Sequence, residues 1–447
     1  MNWAAVILAA GKGTRMKSST PKVLHRLAGR EMIHYVIDAA QQAQLKRIVL
    51  VVGHESQKVR ELLGDSVEYA EQEEQLGTAH ALLQARGKLE GTVDNVLVLN
   101  GDIPLISGET LREMMHHHSA TRASATIMTA TGGSPEGLGR VIRDESGQVV
   151  GVIEEAEADS TQKEIGETNS GAYCFRAEWL WPRLAELPRS KGGEYYLTDL
   201  IALAARSGEK VESITTQNPL EGLGINNRIH LAQAEAALRQ RIREQVMLSG
   251  VTLIDPPSTF IDATVEIGPD TVIYPNTIIE GATKIDQECV IGPSSIIADS
   301  LIGRGCHIQA SVIEASTLED DVEVGPFSHL RPESYLEAGV HIGNFVEIKK
   351  SRLGKETKVG HFSYLGDATI GRNVNIGAGT ITCNYDGVQK HPTFIDDDAF
   401  IGSDSMLVAP VRIGARAITA AGSVVNHDVP PDMLAVGAPA RLRAKKR

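Results

Sequence analysis

The sequence predicts three consecutive parts: an α/β domain, a helical linker and a parallel β-helix. Apolar runs that end in Gly or Asp predict the first, and a stretch free of Gly and Pro with helical periodicity predicts the second. Aliphatic residues recurring at every sixth position predict the third. A chain of 447 residues is also too long for one hydrophobic core.

Residues 1–226 hold the runs AAVILAAG, RIVLVVG and NVLVLNGD. Near-continuous apolar runs of this kind are strands covered on both faces, as in parallel α/β sheets. From 227 to 247 Leu231, Ala234, Leu238, Ile242 and Val246 recur at three- and four-residue steps among Glu, Gln and Arg, the stripe of an amphipathic helix.

Residues 248–447 carry the repeat. Ile261, Ile267, Ile273, Ile279, Ile285, Ile291 and Ile297 fall at every sixth position, and the period continues from Leu318 to Ile376 with single-residue slips. A polar insertion, CNYDGVQKHPTF, interrupts after Thr382 before Ile395, Ile401, Leu407 and Ile413 resume. Six residues make one short strand and a turn, and three such units make a triangular coil with its aliphatic stack inside. Crossovers between parallel strands are normally right-handed, and these residues by themselves do not fix the hand.

The net charge of −13 disfavours nucleic acid and anionic lipid as partners, so an anionic ligand must meet locally clustered Lys and Arg. Cys174, Cys289, Cys306 and Cys383 are widely spaced and read as small buried hydrophobes in a reducing compartment. No basic region precedes the short first apolar run and no stretch of about 18 apolar residues occurs, so a soluble cytoplasmic protein without membrane contact is expected. His116-His117-His118 reads as a solvated helix face, and the cationic tail 441–447 as a disordered end.

The first strand runs into Gly11-Lys12-Gly13-Thr14-Arg15, with Lys22 beyond. A Walker loop and a dinucleotide fingerprint both fail, the latter because position 16 is Met. What remains is a glycine turn whose amides can face an anion, with Arg15 and Lys22 adding charge, or else a plain strand-to-helix turn with surface cations. Asp102, at a strand end, offers a hard oxygen to Mg²⁺, or serves as a buried or capping carboxylate.

In the repeat, Arg331 and Lys349 lie one coil apart, each directly after an aliphatic repeat residue, and should stack on adjacent coils. A sugar phosphate would join two such cations; a solvated basic face with Lys350, Arg352, Lys355 and Lys358 is the alternative. His361 nearby suits proton removal near neutral pH, or is structural.

The combination LAAGKGTRM and PKVL resembles the signature of sugar-1-phosphate nucleotidyltransferases. With QLGTAHA, NGD, GLGRV, TNSG, EYYLTD, GINNR and the hexapeptide β-helix, nearly the whole chain resembles the bifunctional N-acetylglucosamine-1-phosphate uridylyltransferase/glucosamine-1-phosphate acetyltransferase family. The resemblance implies a Rossmann-like nucleotidyltransferase domain and a left-handed β-helix. It implies UTP and acetyl-CoA as co-substrates, amino-sugar 1-phosphates as substrates, Mg²⁺, and a homotrimer.

By the same resemblance Leu8, Ala9, Ala10, Gly11, Arg15, Lys22, Gln72, Gly77 and Thr78 contact nucleotide. Asn100, Gly101, Asp102, Gly139, Glu154, Asn169 and Asn226 complete the site, Asp102 and Asn226 holding the metal. In the β-helix His361 is the base. Arg331, Lys349, Tyr364, Asn375, Asn384 and Tyr385 bind the amino sugar, and Ala378, Ser403, Ala421 and Arg441 lie along acetyl-CoA. Two other readings are a nucleotidyltransferase with a structural or regulatory β-helix, and a non-catalytic regulatory subunit that keeps the fold.

Overall fold

The computed structural model describes residues 1–53, 55–132 and 136–445, and the chain falls into two compact units, Met1–Leu238 and Arg239–Arg447. In the first, nine strands form one sheet: β1 (Trp3–Leu8), β2 (Ile48–Val52), β3 (Glu68–Glu71), β4 (Asn95–Asn100), β5 (Ala125–Ala130), β6 (Arg140–Arg143), β7 (Val149–Ile153), β8 (Thr168–Arg176) and β9 (Val211–Thr215). Their order is β9-β5-β8-β4-β1-β2-β3, with β6 joining β8 to β7.

The three apolar runs of the sequence are the central strands β1, β2 and β4, and they pair in parallel. Side chains alternate across a strand, so Ala4, Val6, Val49, Val51, Val96 and Val98 enter one core while Ala5, Ile7, Leu50, Val52, Leu97 and Leu99 enter the other. Both faces being covered explains why these runs show no polar alternation. Strand β8 runs antiparallel to both neighbours. Its register against β5 shifts between Asn169 and Tyr173, at Gly171 with φ 75°. Such bulges re-aim side chains beside sites.

A helix, Arg228–Leu248, follows, with Ala234, Leu238 and Ile242 buried. Beyond it the second unit is a three-sided stack of parallel strands. Its first face starts at Thr252–Leu253 and has twelve strands, its second at Phe260–Ile261 has ten, and its third at Glu266–Ile267 has nine. Successive coils pair inward residue to inward residue: Ile342 with Val359, Ile348 with Leu365, Leu353 with Ile370. These six are at most 2% exposed, so each coil closes an aliphatic layer worth about 1.5–3 kcal/mol per side chain.

Two expectations fail. The tail is not a disordered end: Arg441–Ala444 is a strand antiparallel to Met433–Val436. The last coil of a β-helix has an open edge, and a strand rich in Arg pairs that edge and presents charge outward; residues 446 and 447 lie outside the described residues. The histidine run is not wholly solvated either. His118 follows Leu111 and Met114 on the buried stripe of helix Gly108–Thr121 and is 2% exposed, with Nδ1 2.8 Å from Thr126 Oγ1. All four cysteines are free; Cys174, Cys289 and Cys306 are buried and Cys383 is half-buried. Among the described residues no helix is long and apolar enough to cross a membrane.

Candidate active sites

The first site lies at the ends of β1 and β4. Gly13 turns the chain with φ 60°, and a Cβ there would stand 2.8 Å from Lys22 Cβ. Glycine therefore lets Lys22 approach the loop. Lys22 Nζ donates to Asn226 Oδ1 at 2.9 Å and forms an ion pair with Asp102. Arg15 Nη2 reaches the same Asn226 oxygen at 2.8 Å, and Ile225 N–H donates to Asp102 O at 2.9 Å, fixing the Asn226 segment against the β4 end. The glycine loop, both cations, Asp102 and Asn226 thus meet in one polar knot, with two hard oxygens facing one ammonium.

Two adjoining cavities open on this knot. One, of about 590 Å³, is lined by Leu8, Ala9, Ala10, Gly11, Gln72 and Gly77 with Thr78, Arg15 and Lys22. The other, of about 310 Å³, is lined by Gly139, Glu154 and Asn169 with Thr78 and Arg15; Asn100, Asp102 and Asn226 line both. Gly101, expected as a contact, instead packs against β1, its N–H donating to Leu8 O at 2.9 Å.

Local chemistry orients several of these side chains. Gln72 Nε2 donates to Gly77 O at 3.1 Å, and Gly77 has φ 106° with Tyr195 O 2.5 Å from where a Cβ would be. Gly171 similarly leaves room for Asn100, whose Nδ2 would be 2.5 Å from a Cβ. Burial raises the Glu154 carboxyl above its usual range, as do Asp199, Glu157 and Glu194, while a hydrogen bond from Thr198 opposes the shift.

The second candidate site draws on the first and second faces of the β-helix. Arg331 and Lys349 each follow an inward residue, and Leu330 and Ile348 are register partners, so the two cations share a column on the second face. Arg331 donates to Glu347 Oε1 at 2.8 Å. Lys349 is held below its usual range first by Lys390, then by desolvation and by Arg331, three cations crowded together with Asp367 opposing. The sequence reading had no role for Lys390. It comes from the polar insertion, folded back by a bridge between Tyr385 and Lys390, and only a non-periodic turn brings it there.

Tyr364 and Asn384 meet over Gly366, where a Cβ would stand 2.4 Å from Tyr364 Oη and 2.7 Å from Asn384 Nδ2. Asn384 in turn donates to Asp367 Oδ2 at 2.6 Å. Tyr385 stays outside this group, 60% exposed and donating to Gly387 O.

His361 ends a first-face strand, and Phe362-Ser363 turns the corner to Tyr364. Register places Asn344, His361, Ala378, Ser403 and Ala421 in one column, each two residues beyond the aligned inward residues Ile342, Val359, Ile376, Ile401 and Thr419. The expected base and three expected coenzyme contacts therefore lie along one line parallel to the stack. Asn375 is on the same face, beside Lys358 and Phe400, and Arg441 is in the strand that pairs the face's far edge.

Asn344, which the sequence reading did not single out, has Oδ1 2.7 Å from His361 Nδ1. An accepting amide oxygen assigns the proton to Nδ1 and leaves Nε2 as the acceptor. Among the described residues no cluster of three or more His, Cys, Asp or Glu could hold a metal.

Comparison with known proteins agrees with both halves. Residues 5–205 match the model of the MobA-like NTP transferase domain, and residues 392–427 that of the hexapeptide repeat of succinyl-transferase. The chain is 51% identical over 433 residues to the bifunctional protein GlmU of Heliobacterium modesticaldum, covering 97% of this chain and 94% of the relative. It is 48% identical over 438 residues to the protein of that name from Syntrophomonas wolfei, covering 98% and 97%. It is 47% identical over 436 residues to that from Halalkalibacterium halodurans, covering 97% and 96%.

Proposed function

The chain belongs to the bifunctional GlmU family, and from that membership we propose that it makes UDP-N-acetylglucosamine in two transfers. Residues 248–447 transfer acetyl from acetyl-CoA to glucosamine 1-phosphate. Residues 1–226, joined through the linker 227–247, transfer uridylyl from UTP to the acetylated product and release pyrophosphate.

In acetyl transfer the phosphate of the amino sugar neutralises Arg331 and Lys349, with Lys390 beside them. His361 Nε2 takes the proton as the amine nitrogen bonds to the thioester carbonyl and the coenzyme A thiolate leaves. Asn344 keeps the proton on Nδ1, so the free nitrogen is the one that can act. Ala378, Ser403 and Ala421 offer an unobstructed track along which the extended coenzyme lies, with Arg441 at its end.

In uridylyl transfer the sugar phosphate oxygen attacks the α-phosphorus of UTP and pyrophosphate leaves, so alignment and charge neutralisation do most of the work. The loop Leu8–Gly11 with Arg15 and Lys22 receives the triphosphate; Gln72, Gly77 and Thr78 face the nucleotide; Gly139, Glu154 and Asn169 face the sugar. The hard oxygens of Asp102 and Asn226 already share one cation, Lys22, a donor pair that suits Mg²⁺ whose remaining ligands are phosphates and water. When bound, Mg²⁺ neutralises phosphate charge.

The chain acts as a homotrimer. Phe327, Phe345 and Phe362 stack at one corner of successive coils with centroids 5.6 and 5.0 Å apart, and stay 61%, 49% and 60% exposed. An apolar ladder at the corner beside His361 supports cover by a neighbouring subunit.

The observation that favours two activities over one is the His361–Asn344 hydrogen bond at the head of the small-residue column. A β-helix kept only for assembly does not need it. Incubation with glucosamine 1-phosphate, acetyl-CoA, UTP and Mg²⁺, followed by mass analysis, should give UDP-N-acetylglucosamine. His361→Ala should stop coenzyme A release yet still release pyrophosphate when N-acetylglucosamine 1-phosphate is supplied, and Asp102→Ala should stop pyrophosphate release alone. Loss of both activities in either folded variant would refute the division.

A further inference from the structure

The EYYLTD motif at 194–199 spans the first site. Tyr195 N–H donates to Leu76 O at 2.8 Å, Ala79 N–H donates to Tyr195 O at 3.0 Å, and Leu197 N–H donates to Thr78 Oγ1 at 2.9 Å. Three hydrogen bonds thus clamp residues 195–197 to the turn that carries Gly77 and Thr78. The next residue, Thr198, is 3% exposed and donates from Oγ1 to Glu154 Oε1 at 2.9 Å.

Glu154 needs that donor. Its carboxyl is half-buried, and Asp199, Glu157 and Glu194 face it with like charge; Tyr173 and Tyr196 are the other titratable groups beside it. Burial and acidic neighbours both favour the protonated form. A protonated Glu154 presents one acceptor fewer to a sugar hydroxyl, so the ionised, oriented carboxylate depends on what donates to it.

We propose that Thr198 is the positioning residue for Glu154, and that residues 195–198 tie the nucleotide-side turn at Thr78 to the sugar-reading carboxylate. Thr198 lines the same cavity as Glu154, but its hydroxyl is engaged by the carboxylate. It keeps Oε1 occupied and the carboxylate charged, so that Oε2, on the Gly139 side, is the oxygen left for the sugar. This rests on the uridylyl-transfer reading and on Glu154 as a sugar contact.

The test is steady-state uridylyl transfer by the full chain with N-acetylglucosamine 1-phosphate varied from pH 6 to 9. Thr198→Val, Thr198→Ser and Glu154→Gln are compared with the parent, and melting curves and coenzyme A release check folding. Thr198→Val should raise KM for the sugar phosphate about tenfold, the worth of one hydrogen bond to a charged group. The loss should be largest at the acid end, because the acidic limb of kcat/KM moves up in pH, and KM for UTP should move less. Thr198→Ser, which keeps the hydroxyl, should restore both KM and the limb.

A Thr198→Val enzyme with unaltered KM and unaltered limb, alongside a Glu154→Gln enzyme whose KM has risen, overturns the proposal and leaves the uridylyl reading intact. A pH-independent loss that serine does not restore also overturns it, because that is packing alone. Unchanged KM in Glu154→Gln removes Glu154 from the sugar contacts and overturns the proposal through its premise.

Discussion

His118 gives a prediction whose size follows from its surroundings. Its ring is 2% exposed, Nδ1 is 2.8 Å from Thr126 Oγ1, and Nε2 has no hydrogen-bond partner among the described residues. Burial, followed by the charges of Arg176 and His117, lowers its pKa from 6.5 to about 4. The unfolded chain therefore binds a proton below about pH 6.5 that the folded chain does not accept until about pH 4. Stability from this group is fully present above the unfolded pKa and declines as pH falls through that window. At 1.36 kcal/mol per unit, the loss from pH 7 to pH 4 is about 3 kcal/mol. The perturbation is His118→Leu, which keeps an apolar side chain on the Leu111–Met114 stripe and cannot titrate. Urea unfolding followed by Trp fluorescence reads this unit, because Trp3, Trp179 and Trp181 are the chain's three tryptophans and Trp3 meets His118 edge-on at 5.6 Å. The free-energy difference between parent and variant should shift by about 3 kcal/mol in favour of the variant from pH 7 to pH 4. Other titrating groups, such as Glu212, are common to both proteins and cancel. A difference that stays constant with pH would refute the buried neutral imidazole.

Three further outcomes concern the β-helix. Asn344→Leu frees the Nδ1 proton of His361 from its acceptor, and kcat for acetyl transfer should fall about tenfold to a hundredfold with uridylyl transfer unchanged; an unaffected kcat would mean that Asn344 does not set the tautomer. Lys390→Gln should raise KM for glucosamine 1-phosphate several-fold at low salt, the gap to the parent closing near 1 M salt where screening reaches about 3 Å; a salt-independent rise would point to a lost shape contact instead. Phe345→Asp puts a charge in the middle of the aromatic ladder, and sedimentation should show monomers that keep pyrophosphate release but lose acetyl transfer. Intact trimers would remove the ladder from the assembly surface.

How much of this is legible in the sequence depends on whether a feature is periodic. In the β-helix one inward side chain per six residues does the packing, so Ile342, Val359 and Ile376 announce their own depth and the coils can be counted from the text. The column Asn344–His361–Ala378–Ser403–Ala421 was there to be found by the same count, two residues past each inward position. Its spacing of 17, 17, 25 and 18 residues hides it, because slips and the insertion break the period between coils. His118 likewise belonged to the Leu111–Met114 stripe by its spacing, and reading three consecutive histidines as one unit obscured it. Strand β8 is different: an element buried on both faces bears no mark of its direction, so no pattern in TNSGAYCFR separates antiparallel from parallel.

The polar knot and Lys390 mark the limit from the other side. Lys22, Asp102 and Asn226 come from three distant stretches, and Lys390 arrives on a turn held by the Tyr385–Lys390 bridge and by the Asp386 carboxylate, which accepts from the Val388 and Gln389 N–H groups; no local rule of propensity or period links such residues. What the sequence does carry is the set of glycines that makes their meeting sterically allowed. A Cβ at Gly13 would strike Lys22, one at Gly171 would strike Asn100, one at Gly77 would strike the Tyr195 backbone, and one at Gly366 would strike Tyr364 and Asn384. Each of these glycines stands where two stretches of chain approach more closely than any other residue permits. The glycines of GKG, GT, TNSG and YLG therefore mark contacts between segments as much as turns within one. The charged and amide side chains they admit are those lining the two sites.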